Sequence, residues 1–238
     1  MAIADDQSAF NINPAGISRN SEYRRLYLNS RIYNDFKHWG LNAALIDGIT
    51  EEPIQWGFLF DTTRTLAIKK EQYVFASSYN WKNYVLIGTT AKFTQFNRSL
   101  NYTPTWLFAT DAGLLFFPTD YLSFGATLKN FIRSKTRSSL APVFYGAGIA
   151  INLQKLRADL DIERNESDKE SVFRGGVEFF LTPSVLIRGG YYQDRKRVDS
   201  GVTVGASAQN DRVGFDIGFL DAIHSDYKVF SMGISVTL

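Results

Sequence analysis

Cysteine is missing from all 238 residues. That excludes disulfides, thiolate nucleophiles and Cys-based zinc centres, and it leaves the redox compartment unreadable. Histidine is nearly missing too, with only His38 and His224. Both fall near turns, and the chain has neither a Gly-x-Ser-x-Gly elbow nor a helical His-Glu zinc motif, so an enzyme, a metal centre and a cofactor are not expected. No apolar run approaches the roughly 20 residues that a membrane-spanning helix requires. The net charge is only +2, too small to draw in a nucleic acid. The opening MAIADDQSAF has no basic segment followed by an apolar core, so no intact signal peptide is read there and a mature N-terminus with an added Met is expected.

What the chain does have is aromatic weight. Aromatic residues make up 15%, chiefly 19 Phe and 12 Tyr, which suits β-structure or a membrane interface. With 45% hydrophobic and 21% charged residues, the composition is that of a folded chain.

The stretch from Ser171 to Asp194 sets the theme. Phe173, Val177, Phe179 and Leu181 share one side of a strand with Gly175, while Arg174, Gly176, Glu178 and Phe180 share the other. After Thr182, Pro183 and Ser184, the alternation resumes with Val185, Ile187, Gly189 and Tyr191 against Leu186, Arg188, Gly190, Tyr192 and Asp194. This is a hairpin with one apolar face and one face of glycine and charge.

The same pattern runs through most of the chain. It starts at Tyr23, passes a turn at Asp35 to Lys37 and a strong turn signal at Asp47-Gly48, and continues through Ile54 to Asp61. Arg64 to Glu71 is polar and aperiodic, the expectation for a longer loop, with a weak strand following from Gln72 to Asn80. Clear alternation returns at Tyr84 to Gln95, Thr105 to Phe117, Leu122 to Lys129, Val143 to Ile151 and Leu156 to Glu163. The hairpin above and three final segments follow, the last ending at Leu238. Arg133 to Ser139 is a basic, serine-rich loop, read as solvated. Met1 to Glu22 has no period: Asn11, Asn13, Pro14 and Gly16 interrupt it, with a short helical turn expected between Asp6 and Phe10. The total is about fourteen segments of roughly ten residues each, the strand signature of a transmembrane barrel.

A soluble sandwich also alternates, so the two faces decide. The apolar set is rich in Phe and Leu along whole segments. The opposite set is Gly, Ser and Thr with single charges of both signs: Lys92, Lys129, Arg157, Arg174 and Arg188 against Asp111, Asp159, Asp161, Glu178 and Asp216. Such balance fits a closed lumen, where a buried charge must be paired. Asp159 and Asp161, at i, i+2 spacing beside Arg157 and Arg174, read as part of a lumenal salt-bridge ladder rather than a cation site or acid-base pair. Trp39, Trp56, Tyr84, Trp106 and Tyr192 near strand ends read as interfacial girdle residues. The expected fold is therefore all-β: a membrane-spanning antiparallel up-and-down β-barrel of about 14 strands over residues 23–238, with residues 1–22 as an N-terminal plug.

Several stretches resemble a known family. Asn13, Pro14, Ala15 and Gly16 are similar to the Asn-Pro-Ala hatch of FadL-type outer-membrane proteins. GTTAKF at Gly88 to Phe93, TDAGLLFFPTDYLSFGATLKN at Thr110 to Asn130, GGVEFFLTPSVLIRGGYYQD at Gly175 to Asp194 and VGASAQNDRVGFDIGF at Val204 to Phe219 resemble its shorter, PorV-like branch. The resemblance implies a fourteen-stranded outer-membrane barrel, plugged by its N-terminal segment. It implies one of two roles: binding or passing small hydrophobic molecules such as fatty acids or lipids, or acting as a non-conducting scaffold through loops or self-assembly. Membrane lipids, a hydrophobic ligand, a second copy of the chain or a secreted protein are the partners it implies. The chain is short for a FadL transporter, so long extracellular loops are not expected, and Leu238 stands where many outer-membrane barrels end in Phe.

Overall fold

The computed structural model describes residues 1, 6–19, 24–34, 38–48, 53–66, 68–98, 104–134, 141–167, 170–195, 199–225 and 227–238. Fourteen strands make up the body: β1 Arg24–Tyr33, β2 Trp39–Asp47, β3 Ile54–Arg64, β4 Ile68–Trp81, β5 Val85–Arg98, β6 Thr105–Thr119 and β7 Leu122–Arg133. They continue with β8 Phe144–Asn152, β9 Leu156–Asn165, β10 Ser171–Thr182, β11 Val185–Asp194, β12 Asp199–Gln209, β13 Val213–Ala222 and β14 Lys228–Thr237. Each strand pairs antiparallel with its neighbours in the chain, and β1 closes on β14 from Arg25 opposite Thr237 to Tyr33 opposite Val229. The result is a closed up-and-down barrel. Closure pairs both edge strands, which removes the exposed edges a sheet would otherwise present.

Side-chain direction follows the alternation read from the sequence. Phe75, Ile87, Phe93, Ile217 and Met232 each leave half or more of their surface outside, whereas Val74, Ala76 and Thr90 are buried inside. Trp39, Trp56, Tyr84 and Trp106 face outward near the strand ends. An apolar belt flanked by aromatic residues is the outer surface of a barrel set in hydrocarbon. Tyr192 departs from the girdle reading. It faces the lumen, where its hydroxyl lies 3.5 Å from Asp199.

The interior is not uniformly polar. The main core lies between the wall and the N-terminal segment: Ala9, Phe10 and Ile17 pack with Tyr27, Ala44, Ile46, Leu59, Val74 and Ala76, which are inward-facing residues of β1–β4. A second cluster joins Ala15 to Leu86, Leu115 and Phe117 of β5 and β6. Burying a side chain such as Phe10 contributes about 1.5–3 kcal/mol relative to leaving it in water.

The expected helical turn is a 3-10 turn, Gln7–Phe10, capped by Asp6, whose carboxylate accepts from the Ser8 amide at 2.7 Å. A second 3-10 helix, Pro14–Arg19, forms where the sequence reading saw only interruption. Proline at its first position loses no helical hydrogen bond there, which is why the segment folds despite it.

Two other expectations change. The connection after Arg64 is short, because β4 already begins at Ile68, with Lys69 opposite Arg64 and Lys70 opposite Thr63. Strands β4 and β5 have 14 residues and β6 has 15, longer than the roughly ten expected. The start of β4 carries Lys69, Lys70 and Glu71 in succession, so it pairs as a strand without an apolar period. The turn expected at Asp35 to Lys37, most of the basic loop at Arg133 to Ser139, and parts of residues 1–22 lie outside the described residues.

Strand direction sorts the connections into two rims. One rim holds the start of β1, the end of β14 and tight links such as Thr119 to Leu122 and Thr182 to Val185. We call it the turn rim. The other, the loop rim, holds the longest link, from Arg133 to Phe144.

Candidate functional site

Two inward-facing glycines, Gly88 of β5 and Gly113 of β6, sit directly opposite each other in register. Asn13, Pro14 and Ala15 rest on this pair. A Cβ added at Gly88 would collide with the backbone of Pro14 and Ala15, and one at Gly113 with the Asn13 side chain. The contact is fastened by polar bonds. Asn13 Nδ2 donates to the Leu114 carbonyl at 3.1 Å, and Ser78 Oγ donates to the Ala15 carbonyl at 2.9 Å. Asn13, Pro14, Ala15 and Gly16 are all buried.

The ten charged residues singled out from the sequence all face inward, and most are paired. Lys92 meets Asp111 at 2.7 Å, Arg157 meets Glu178 at 3.9 Å, and Arg188 meets Asp216 at 3.3 Å. Lys129 and Arg174 converge on Glu163 at 3.3 and 2.9 Å. Asp161 is held by the Met1 amino group. Of the ladder expected between Asp159–Asp161 and Arg157–Arg174, one rung takes another partner. Asp161 stands opposite Arg174 in register, but Arg174 reaches diagonally to Glu163 instead. Asp159 lies over Gly176, where a Cβ would come within 2.9 Å of its Oδ1.

Sequence reasoning left Glu163 out of this network, although its parity on β9 matched Asp159 and Asp161. It also left out Arg31 and Asp61, which form an ion pair between β1 and β3. That link skips a strand and has no local sequence signal.

The wall itself changes character at β8–β11. Gly176 is opposite Gly190, Gly175 opposite Tyr191, and Val177 opposite Gly189. The four glycines bring no side chains of their own to the wall, which is covered instead by neighbours: Asp159 and Thr203 lie over Gly176 and Gly190 on the inner face, and Leu160 over Gly175 on the outer face. A cavity of about 1100 Å³ lies against it, lined by Leu160, Ile149, Ile151, Phe173, Val177 and Tyr191 among others.

The two histidines do not build a relay. Ser200 Oγ lies 3.3 Å from His224 Nδ1, but Asp199 engages the His224 backbone amide rather than its ring. Among the described residues, no group of three metal-ligating side chains occurs.

No protein-family model matches the chain, and no curated protein matches it by sequence. Solved structures do match it in fold. The CymD monoaromatic hydrocarbon channel superposes with a TM-score of 0.74 at 11% identity, over 100% of this chain and 94% of that one. The toluene transporter TodX of P. putida matches with 0.74 at 10% identity, over 97% and 93%. A Pseudomonas aeruginosa FadL homologue matches with 0.69 at 10% identity, over 98% and 94%. The chain shares the fold of these structures, and its own barrel is closed by fourteen strands.

Proposed function

We propose that this chain is a bacterial outer-membrane barrel of the FadL type that binds small hydrophobic molecules and passes them through its wall. The glycine patch at Gly175, Gly176, Gly189 and Gly190, with the apolar cavity against it, carries this reading. Where the wall contributes no side chains of its own, a greasy molecule crosses by displacing only the covering ends of Asp159, Thr203 and Leu160. Leu160, Ile149 and Phe173 supply an apolar surface whose burial of alkyl groups is worth about 0.8 kcal/mol per methylene. The named neighbours that share the fold are a monoaromatic hydrocarbon channel and a toluene transporter, which agrees with this substrate class.

In this reading residues 1–22 form the plug and residues 23–238 the barrel. Asn13, Pro14, Ala15 and Gly16 act as the hatch, and Lys92, Asp111, Lys129, Arg157, Asp159, Asp161, Arg174, Glu178, Arg188 and Asp216 hold the lumen together as its charge network. The turn rim faces the periplasm, since short turns lie on that side of such barrels.

The test is binding of toluene and of a saturated fatty acid by the purified barrel in lipid vesicles. Gly189→Leu fills the outer cavity, because a Cβ there meets nothing closer than the Thr203 carbonyl at 3.9 Å. The expected outcome is binding by the parent and a loss of roughly tenfold or more in Gly189→Leu, corresponding to about 1.4 kcal/mol. Equal binding by parent and variant would remove this site.

A second reading rests on the short links at both rims. A PorV-like scaffold would act through its rims on a secreted protein or on a second copy of itself. It calls for a defined oligomer in detergent with no hydrophobic ligand bound, an outcome native mass spectrometry separates from the first.

A further inference from the structure

Among the described residues, the segment from Gln7 to Arg19 packs against one side of the lumen, and Met1 reaches β8 and β9 at Gly146 and Asp161. Pro14–Arg19 contacts β3, β4, β5 and β6. On those strands the inward side chains are sealed from water: Gln55, Leu59, Val74, Ser78, Leu86, Thr90 and Leu115 are all buried.

The opposite wall is different. On β10, the inward residues Val172, Arg174, Gly176, Glu178 and Phe180 all keep solvent-accessible surface. On β11, so do Leu186, Arg188, Gly190, Tyr192 and Asp194. Thus no inward residue named on these two neighbouring strands is buried, from one rim to the other. Beside them, Thr203 and Ser207 of β12, Asp216 and Gly218 of β13, and Ser231 and Ser235 of β14 are also only half-buried, while Gly201, Gly214 and Gly233 are covered. The inner charges here are the least enclosed in the network, with side chains of Arg174, Arg188 and Asp216 exposed by 44, 37 and 36%. Lys92 and Asp111, on the filled side, are exposed by 11 and 2%.

We propose that the lumen along β10–β14 is a water-filled path that conducts small ions and passes small polar solutes, separate from the route through the wall. Between the apolar inward residues near the strand ends, Val172, Phe180 and Leu186, its lining is what such a path requires: hydroxyls, glycines and hydrogen-bonded charges. Glycine and serine keep the wall low, so the space is not occupied by the barrel's own side chains. Arg157, Arg174 and Arg188 pair with Glu178, Glu163 and Asp216, so both signs line the route and neither anions nor cations are strongly excluded.

The experiment is conductance of the full chain in planar lipid bilayers bathed in KCl. Stepwise openings are expected. Thr203→Trp, which sets a large ring into the path from β12, is expected to reduce the step by roughly twofold or more. Val204→Trp, the next residue but facing outward, is expected to leave it unchanged. Replacing Arg174 and Arg188 together by Glu is expected to shift the reversal potential in a KCl gradient toward that of K+. Insertion is checked independently by the heat-dependent gel mobility of the folded barrel. A silent bilayer with the folded barrel inserted overturns the proposal, as does a Thr203→Trp step equal to the parent's. Hydrophobic binding is read separately through Gly189→Leu, so either result can fail without the other.

Discussion

Arg188 and Asp216 form an ion pair at 3.3 Å although a whole strand, β12, lies between them. The crossing is made over Gly205, which stands opposite Arg188 in register. A Cβ at Gly205 would lie 2.8 Å from Arg188 Nε and 2.9 Å from the Ile217 carbonyl. Ser207 Oγ donates to the same Asp216 carboxylate, which completes the anchor. The pattern repeats on β1–β3, beyond β14. Arg31 of β1 reaches Asp61 of β3 over Gly40 of β2, where a Cβ would come within 3.1 Å of Arg31 Nε. Glycine in an inward position thus acts as a saddle for a side chain that ties strands two apart.

Gly205→Val is expected to destabilise the barrel by about 1–3 kcal/mol, because the new side chain meets both a guanidinium and a backbone carbonyl that cannot move away. Most of that cost is steric. The pair is about a third exposed on each side, so Arg188→Ala alone is expected to cost at most ~1 kcal/mol. Guanidinium unfolding of the barrel in lipid vesicles measures both, and a larger loss in Arg188→Ala than in Gly205→Val would contradict the saddle.

Lys92 and Asp111 behave differently because they are enclosed. Asp111 is 1% exposed and also accepts from the Asn130 amide at 2.9 Å. Asp111→Asn leaves an ammonium in the filled half of the lumen without its counter-charge, and a loss of about 3–5 kcal/mol is expected. Lys92→Met combined with Asp111→Leu is expected to recover most of it, since removing both charges also removes their desolvation cost. A double-mutant cycle on unfolding free energies separates the two effects.

The seat of the N-terminal segment gives a third expectation. Gly113→Leu places a branched side chain where Asn13 and Pro14 rest, so the segment must lift off β5 and β6. The barrel strands keep their pairing, because the new side chain points into the lumen. Proteolysis of the variant in vesicles is expected to cut within residues 6–19, with the barrel fragment surviving at its full heat-dependent mobility. Phe10→Ala, which empties a wholly buried site, is expected to act in the same direction through a loss of about 3–5 kcal/mol of packing. Equal protection of parent and variants would mean that the segment is not held by this seat.

Strand existence and facing were legible in the sequence because the outer face repeats one demand, apolar contact, at every second residue. Phe58, Phe93 and Ile217 announce themselves by that period. The start of β4 was not legible, since Lys69, Lys70 and Glu71 lie in a strand section that no apolar belt covers. The individual charge pairs were not legible either. Parity places Arg174 and Glu163 on the inner face, but which of several carboxylates Arg174 selects depends on diagonal reach across β9 and β10. The Pro14–Ala15 contact with Gly88 and Gly113 joins positions that nothing in the sequence pairs.

The outward facing of the apolar set is the premise with the widest consequences, and a depth series tests it. Phe75 lies at the middle of β4 and is 52% exposed, whereas Ile54 starts β3 at the turn rim and is 54% exposed. Exposure to the surroundings is therefore the same, and only height along the barrel differs. If hydrocarbon surrounds the belt, Phe75→Arg places a guanidinium near its middle at a cost of about 2–4 kcal/mol, while Ile54→Arg at the rim costs about 0–1. If water surrounded it, both substitutions would be nearly neutral, since an exposed apolar side chain gains little from its neighbours there. Unfolding free energies in vesicles therefore distinguish the two cases by the difference between the variants, which is independent of any shared effect of Arg on strand pairing. The same series on β13, with Ile217→Arg near its centre and Val213→Arg at its start, repeats the comparison on another part of the wall. Costs that do not fall from centre to rim on either part would mean that the apolar face is not turned to lipid.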